Sequence, residues 1–493
     1  MIFLKSKGVL PFLAALLVSL VAAPTTVLAA VPRGTPDQGS IITYPIPAGV
    51  ANAASFEVKV RSPGGRWKEL GTYKPSLVEL NVTTGSAKTY SSSMAYFDFN
   101  GTVEVSAKYL NGPVENARVR PNSYGITPKR SGRTVKFTLD KPRDVVLQVS
   151  DDVFDVLHLF TNAPPVDVPS ADDPDVIYFG PGFHDVKENI NVASGKTVYV
   201  AGGAVVSVPL IEFANVTSGA LRGHGVLTSS RGASVQVAQS SNVVIDGPIG
   251  LNFLARTYEA KDVEIRNWRS FSSVTWGDGI DLFCSENILV DSVFVRSSDD
   301  SVAIYNHRDR WYGDSKNITI QNSSLWADVA HPINVGTHGN TENPEVVDGL
   351  TIRNVDILDH REKQLLYQGA LALNPGDSNL IQNVLVEDLR VENFRLGQLL
   401  NFRVMFNDKY NTSPGRGIRN VVIKDLSYEG EGSITSLFSG YDAERTISNV
   451  TFHNLRINGK VIDDKMSKPA WYATADFIPL HVNDHVKNLT FTS

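Results

Sequence analysis

Four aspartates crowd one short stretch of this sequence, in Trp276-Gly277-Asp278-Gly279-Ile280-Asp281 and Ser298-Asp299-Asp300-Ser301. Asp278 precedes Asp299 by 21 residues and Asp300 by 22, while Asp281 lies 19 before Asp300. If about twenty residues make one coil of a stacked structure, these carboxylates sit on neighbouring strands, about 4.8 Å apart in backbone. Adjacent residues on a regular strand point to opposite faces, so a bend is predicted at Asp299-Asp300 if both are to face one cleft. Crowding keeps one carboxyl protonated while the others stay ionised. The protonated group can give its proton to a glycosidic oxygen, and a carboxylate can activate water. The same spacing also suits a Ca²⁺ site or solvated turn aspartates.

Aromatic and cationic residues lie close by. Trp276, Trp311, Tyr312, Trp326 and Tyr367 could floor a sugar cleft, since pyranose C–H faces pack on rings, or could serve as packing. Trp276 stands out, two residues from Asp278. The loop Asn306-His307-Arg308-Asp309-Arg310-Trp311-Tyr312 follows the acidic pair and its strand and mixes cations with aromatics, as a set of sugar subsites would. Arg308, Trp311, Tyr367 and Asp281 join Trp276 as candidate substrate contacts. His331 and His338 compete for a site-histidine role. Cys284, the one cysteine, is expected to pack as a small hydrophobe.

The elements that must hold these residues are legible in a returning phrase: Asn, Asp or Gly, an aliphatic, any residue, then an apolar one. It starts at Asn242, Asp262, Asn287, Asn317, Gly349, Asn383, Asn420, Asn449 and Asn488, at intervals of 20, 25, 30, 32, 34, 37, 29 and 39 residues. A constant strand with variable intervals describes a solenoid whose loops absorb insertions. Leucine-rich repeats and propellers lack the matching spacing, and a right-handed parallel β-helix over residues 175–493 is predicted. Before it, Phe56-Glu57-Val58-Lys59-Val60, Val103-Glu104-Val105 and Val135-Lys136-Phe137-Thr138-Leu139 alternate with period two between turn residues. That reads as a small antiparallel β-sandwich over residues 31–169. The fold class is therefore all-β.

The sequence has 493 residues, 42% hydrophobic and 20% charged, enough for a large core. Its 46 Lys and Arg against 52 Asp and Glu leave no basic excess to neutralise phosphates, which argues against a nucleic-acid partner. A lone cysteine excludes an internal disulfide and a multi-cysteine metal site. Lys5 and Lys7, an apolar run from Phe12 to Ala23 and the small-residue exit Val27-Leu28-Ala29-Ala30 have the order of a secretory signal peptide over residues 1–30. The run falls short of the roughly 20 residues that span a bilayer, so a secreted, extracellular chain without a membrane partner is expected. Removing Lys5 and Lys7 leaves 44 basic against 52 acidic residues, a net charge of −8. Eight Asn-X-Ser/Thr sequons begin at Asn81, Asn100, Asn215, Asn317, Asn322, Asn411, Asn449 and Asn488.

Asp278-Gly279-Ile280-Asp281 with Asp299-Asp300-Ser301-Val302-Ala303 resembles the active-site pattern of polygalacturonases, glycoside hydrolase family 28. His331-Pro332-Ile333-Asn334-Val335-Gly336 resembles that family's Gly-His-Gly segment. The resemblance runs from about Tyr178 to the C-terminus and implies a pectin-lyase-like β-helix and inverting hydrolysis. Carried over, Asp299 is the general acid, Asp278 and Asp300 hold the attacking water, and His331 is an accessory group. Trp276-Gly277 stands where the family has Asn-Thr, and Ala330 and Pro332 replace its glycines. The family's Arg-X-Lys, which binds uronate carboxylates, should fall near Gly369-Ala370-Leu371-Ala372-Leu373, where no cation stands. Without that clamp an acidic sugar loses its charge-assisted bonds. A sandwich ahead of the β-helix is more similar to family 49, the dextranases and isopullulanases. Arg120-Pro121-Asn122-Ser123-Tyr124, Leu157-His158-Leu159-Phe160-Thr161-Asn162 and Tyr178-Phe179-Gly180-Pro181-Gly182 carry that second likeness. It implies a neutral α-glucan, dextran- or pullulan-type. A monomer acting without metal or cofactor is expected. Polygalacturonate is the alternative substrate. A β-eliminating lyase and a non-catalytic carbohydrate-binding β-solenoid are the readings of other classes.

Overall fold

A computed structural model describes residues 39–364, 366–367 and 369–493. The expected signal segment, residues 1–30, lies outside the described residues. Gln38–Ser493 form one compact unit.

The returning phrase has a backbone cause. Its first residue adopts the left-handed conformation at every occurrence, with φ of 57° at Asn242, 55° at Asp262, 58° at Asn287, 51° at Asn317 and 77° at Gly349. Glycine carries no Cβ penalty there, and Asn and Asp tolerate the region best among other residues. The two aliphatics that follow point inward, as Val243 and Ile245 or Ile288 and Val290 do, at 2% exposure or less. Each such strand pairs in parallel and in register with its counterparts one coil before and after, as Val263 lies beside both Val243 and Ile288. Thirty strands make one wound sheet from Val176–Phe179 to Val486–Thr492, the right-handed parallel β-helix. The phrase asparagines also bond along the axis: Asn317 Nδ2 donates to Asn287 Oδ1 at 2.8 Å, and Asn488 to Asn449 at 2.9 Å.

The N-terminal part holds two five-stranded sheets. The alternating strands Phe56–Arg61, Val103–Tyr109 and Thr134–Leu139 lie in the sheet with one wet face. Ser93–Phe99 and Leu157–Asn162 lie in the other and are buried along their whole length. They pair in parallel, so the sandwich is not purely antiparallel. The second sheet is buried on both faces because it packs on the solenoid. Tyr96, Val146 and Phe160 join Val205, Phe271, Phe294 and Trp326 in one apolar cluster. Buried ion pairs cross the same junction, Arg120 with Glu392 and Arg269 with Asp144, each at 2.8 Å. Cutting one partner of such a pair strands the other charge and costs about 3–5 kcal/mol.

Candidate active site

One turn, repeated coil after coil, carries the chemistry. Asp278 precedes the strand Ile280–Phe283; Asp299 and Asp300 precede Val302–Tyr305; His331 precedes Ile333–Val335. Stacking follows from the backbone: Gly279 N donates to Asp300 O at 2.9 Å and Ser301 N to His331 O at 2.7 Å. The chain bends at Ser298 and Asp299, as expected. Ser297 Oγ donates to Asp299 O at 2.7 Å and holds the bend. One carboxylate oxygen from each of Asp278, Asp299 and Asp300 lies within 4.8 Å of the others.

The three carboxyls differ sharply in their partners. Asp300 accepts four bonds, from His331 N and Nδ1 at 3.1 and 2.7 Å on Oδ1, and from Tyr305 Oη and Asn334 Nδ2 at 2.8 Å on Oδ2. Burial alone would raise its pKa, but the charge and donors of His331, then Asn334 and Tyr305, hold it below the usual carboxylate range. Asp299 has no comparable donors. Burial first, then the Asp300 charge, pushes its carboxyl up to about 8. Asp278 is raised well above its ordinary value by burial, then by Asp281, Asp299 and Asp300. One raised carboxyl was expected, and two are found. Burial raises Asp281 as well, although Arg256 Nε holds it at 2.7 Å. Proton-donating neighbours already occupy both oxygens of Asp300, which makes the trio a poor cage for Ca²⁺, a cation that takes 6–8 oxygen ligands.

The trio lines a cleft of about 670 Å³. Trp276, 73% exposed, stands at its wall in a left-handed conformation, φ 53°. Arg308 and Tyr367 also line it. Tyr367 stacks on Tyr410 at 4.9 Å and accepts a bond from Asn334 at 2.8 Å, so its hydroxyl belongs to the Asp300 network. His331 is the histidine on the trio; His338 lines the cleft and packs edge-on against Tyr305 at 5.0 Å. Three aromatic candidates lie elsewhere, among them Tyr312, which stacks on His307 with ring centres 4.1 Å apart. Trp311 packs on Tyr258 at 5.6 Å, away from the cleft lining. Trp326 is wholly buried at the sandwich junction beneath the Arg296 guanidinium, 4.0 Å from its ring, because its strand faces the sandwich. Asp281 lines the cleft but is 1% exposed and engaged by Arg256, a position for tuning Asp278 rather than gripping sugar. Cys284 is buried, its thiol pushed up to about 12 by burial.

Several partners were not singled out from sequence. Tyr305 and Asn334 orient Asp300, and Glu362 extends the turn column one coil past His331. Their signal was positional, the same turn-and-strand register repeated, and it is faint without the coil lengths. Within the segment where the uronate clamp was sought, Gly369 to Leu373, the strand Leu371–Leu373 is apolar and buried, with Ala370 buried before it.

Residues 227–362, which enclose the trio, His331 and Glu362, match the model of Glycosyl hydrolases family 28. Dex49A from Penicillium minioluteum is a solved structure similar to this one, at 13% identity over 92% of this chain and 97% of that one, with a TM-score of 0.65. The family 28 exopolygalacturonase of Yersinia enterocolitica is also similar, at 11% identity over 78% and 96%, with a TM-score of 0.47. No curated protein sequence matches the chain. At such identity the Dex49A likeness speaks for the fold, sandwich included, while the family match falls on the acidic turns themselves. The family match over the acidic turns makes the chain an O-glycosyl hydrolase, and its likeness to Dex49A is one of fold.

Proposed function

We propose that this protein is a secreted, monomeric glycoside hydrolase that cleaves a neutral α-glucan with inversion, Asp299 giving the proton and Asp278 holding the water. The observation that carries the chemistry is the division of the trio. Asp299 keeps its proton to about pH 8, beside an Asp300 that stays ionised. An acid of that pKa is protonated at neutral pH yet weak enough as a bond to give the proton up. Asp278, with its raised pKa, is a strong base whenever it is ionised. The ionised Asp300 stabilises the positive charge that grows on the sugar ring.

The carboxylate oxygens lie closer together than the roughly 6.5–9.5 Å usual for inverting pairs. Inversion is favoured because a retaining route needs a free ionised nucleophile. Asp300, the carboxylate held ionised, spends both oxygens on donors and has none free to attack the sugar. The anomer first released, read by NMR, tests this: a β-anomer from an α-glucan supports inversion, and an α-anomer overturns it.

The neutral substrate rests on the apolar strand that occupies the clamp positions. Reducing-end release from dextran, pullulan and polygalacturonate, each with EDTA present, tests it. Release from either glucan supports the reading, and release from polygalacturonate alone overturns it. Polygalacturonate stands as the second reading on one observation: Arg308 and Lys363 line the cleft and, among the described residues, make no ion pair.

A further inference from the structure

The sandwich reaches into the cleft. Its hairpin, Ser76–Leu80 with Ala87–Ser91, contributes Val78, Leu80, Val82 and Ala87 to the cleft lining. Val82 at the tip is 42% exposed, an aliphatic side chain held in water beside a sugar-hydrolysing site. The base of the hairpin is fastened: Leu77 is wholly buried in the junction cluster, and Tyr90 stacks on Phe154 with ring centres 4.1 Å apart. Its cleft side is fastened by the solenoid. Arg361 donates to Leu80 O and faces Glu79 at 3.6 Å, while Tyr90 Oη binds Glu79 at 2.9 Å. The Arg361 backbone pairs with Ala330, the residue before His331.

These contacts place the hairpin along the solenoid axis. Asp299, His331 and Arg361 occupy the same turn on three successive coils, so the hairpin meets the cleft about 10 Å from the acid at about 4.8 Å per coil. Val78, Leu80 and Val82 give that stretch of wall an aliphatic surface, suited to the C–H face of a sugar ring.

We propose that this hairpin is a remote subsite, in which the sandwich grips a sugar of the bound polysaccharide away from the scissile bond, with Arg361 as its positioning residue. This rests on the glucan reading for its ligand. Binding energy gained at such a distance can be spent on orienting the reacting ring, so longer substrates should be cleaved disproportionately faster.

The test compares kcat/KM on dextran-derived oligosaccharides of increasing length between wild type and the hairpin variant Leu80→Ser/Val82→Ser. The expected result is a fall of about tenfold in the long-to-short ratio, the size of effect that losing one small apolar contact produces. Arg361→Gln should lower the same ratio, and Arg361→Lys, which keeps a donor for Leu80 O, should restore most of it. A general loss of structure would instead lower both substrates together and the melting temperature with them. An unchanged ratio in the hairpin variant overturns the subsite while leaving the glucan reading intact. Wild-type action on polygalacturonate alone overturns the glucan reading, and the ratio is then read on oligogalacturonates. No wild-type activity on any of these sinks both.

Discussion

Asp300 Oδ1 accepts the Nδ1–H of His331 at 2.7 Å, and both side chains are buried. Burial works against a charged imidazole, but the Asp300 charge and this hydrogen bond overcome it and raise the histidine. The positive charge so kept beside the trio lowers Asp299, while Glu362 raises it. Burial and the Asp300 charge raise the acid, and these two residues, which need not touch the substrate, adjust it in opposite directions.

Asp299→Asn should lower kcat by at least two to four orders of magnitude, the usual worth of a general acid. Folding should survive, and stability at neutral pH should rise. The native carboxyl binds its proton up to about pH 8, whereas the unfolded one releases it near pH 4. The native state therefore holds more protons across that window, and wild-type stability falls as pH rises through it. Melting temperatures of both proteins at pH 4 and pH 8 check this; a variant less stable than wild type at pH 8 contradicts it.

The alkaline limb of kcat/KM should lie near pH 8, where Asp299 loses its proton. His331→Gln removes a lowering influence, so the limb should move to higher pH. Glu362→Gln removes a raising one, so the limb should move down. His331→Gln also breaks a buried pair, at about 3–5 kcal/mol of stability. Opposed displacements in the two pH profiles are the diagnostic result, since a merely structural loss moves neither limb.

Trp276→Asn should stabilise the fold by up to about 1 kcal/mol, because a bulky residue at positive φ is costly and Asn suits that region. KM for the polysaccharide should rise, since the exposed ring is then gone from the wall. Chemical denaturation and steady-state kinetics on one preparation read both effects. A stabilised variant with unchanged KM would show that the indole has no part in binding.

When the chain is made in a glycosylating secretory host, glycans are expected at Asn81 and Asn215, whose side chains are exposed. The sequons at Asn317, Asn322, Asn449 and Asn488 commit their Nδ2 groups to the axial ladder, and buried Asn411 gives its own to Thr337 O. Peptide mapping after deglycosylation checks the pattern; a glycan on Asn449 or Asn488 would contradict it.

The solenoid was legible because its signal is local and repeated. An Asn, Asp or Gly in the left-handed region followed by two inward aliphatics recurs wherever the same turn is made. The bend at Asp299-Asp300 was legible for a related reason, since two neighbours on a straight strand cannot share a face. The sandwich was half legible: period two marks strands with one wet face, and Phe56–Arg61 has one. Ser93–Phe99 is covered on both sides, so its alternation vanishes, and with it any hint of its parallel pairing to Leu157–Asn162.

By itself, then, the sequence determined the fold class and the acidic trio, properties of residue type and regular spacing, while the missing uronate clamp was legible only through the family resemblance. Tertiary structure alone decided which carboxyl is ionised, because Tyr305, Asn334 and His331 converge on Asp300 from separate strands. It likewise decided that Trp326 belongs to a domain junction while Val82, far away in sequence, belongs to the cleft. Donor counts and burial depend on what lies opposite a side chain, and in a wound sheet the opposite residue stands a whole coil or a whole domain away.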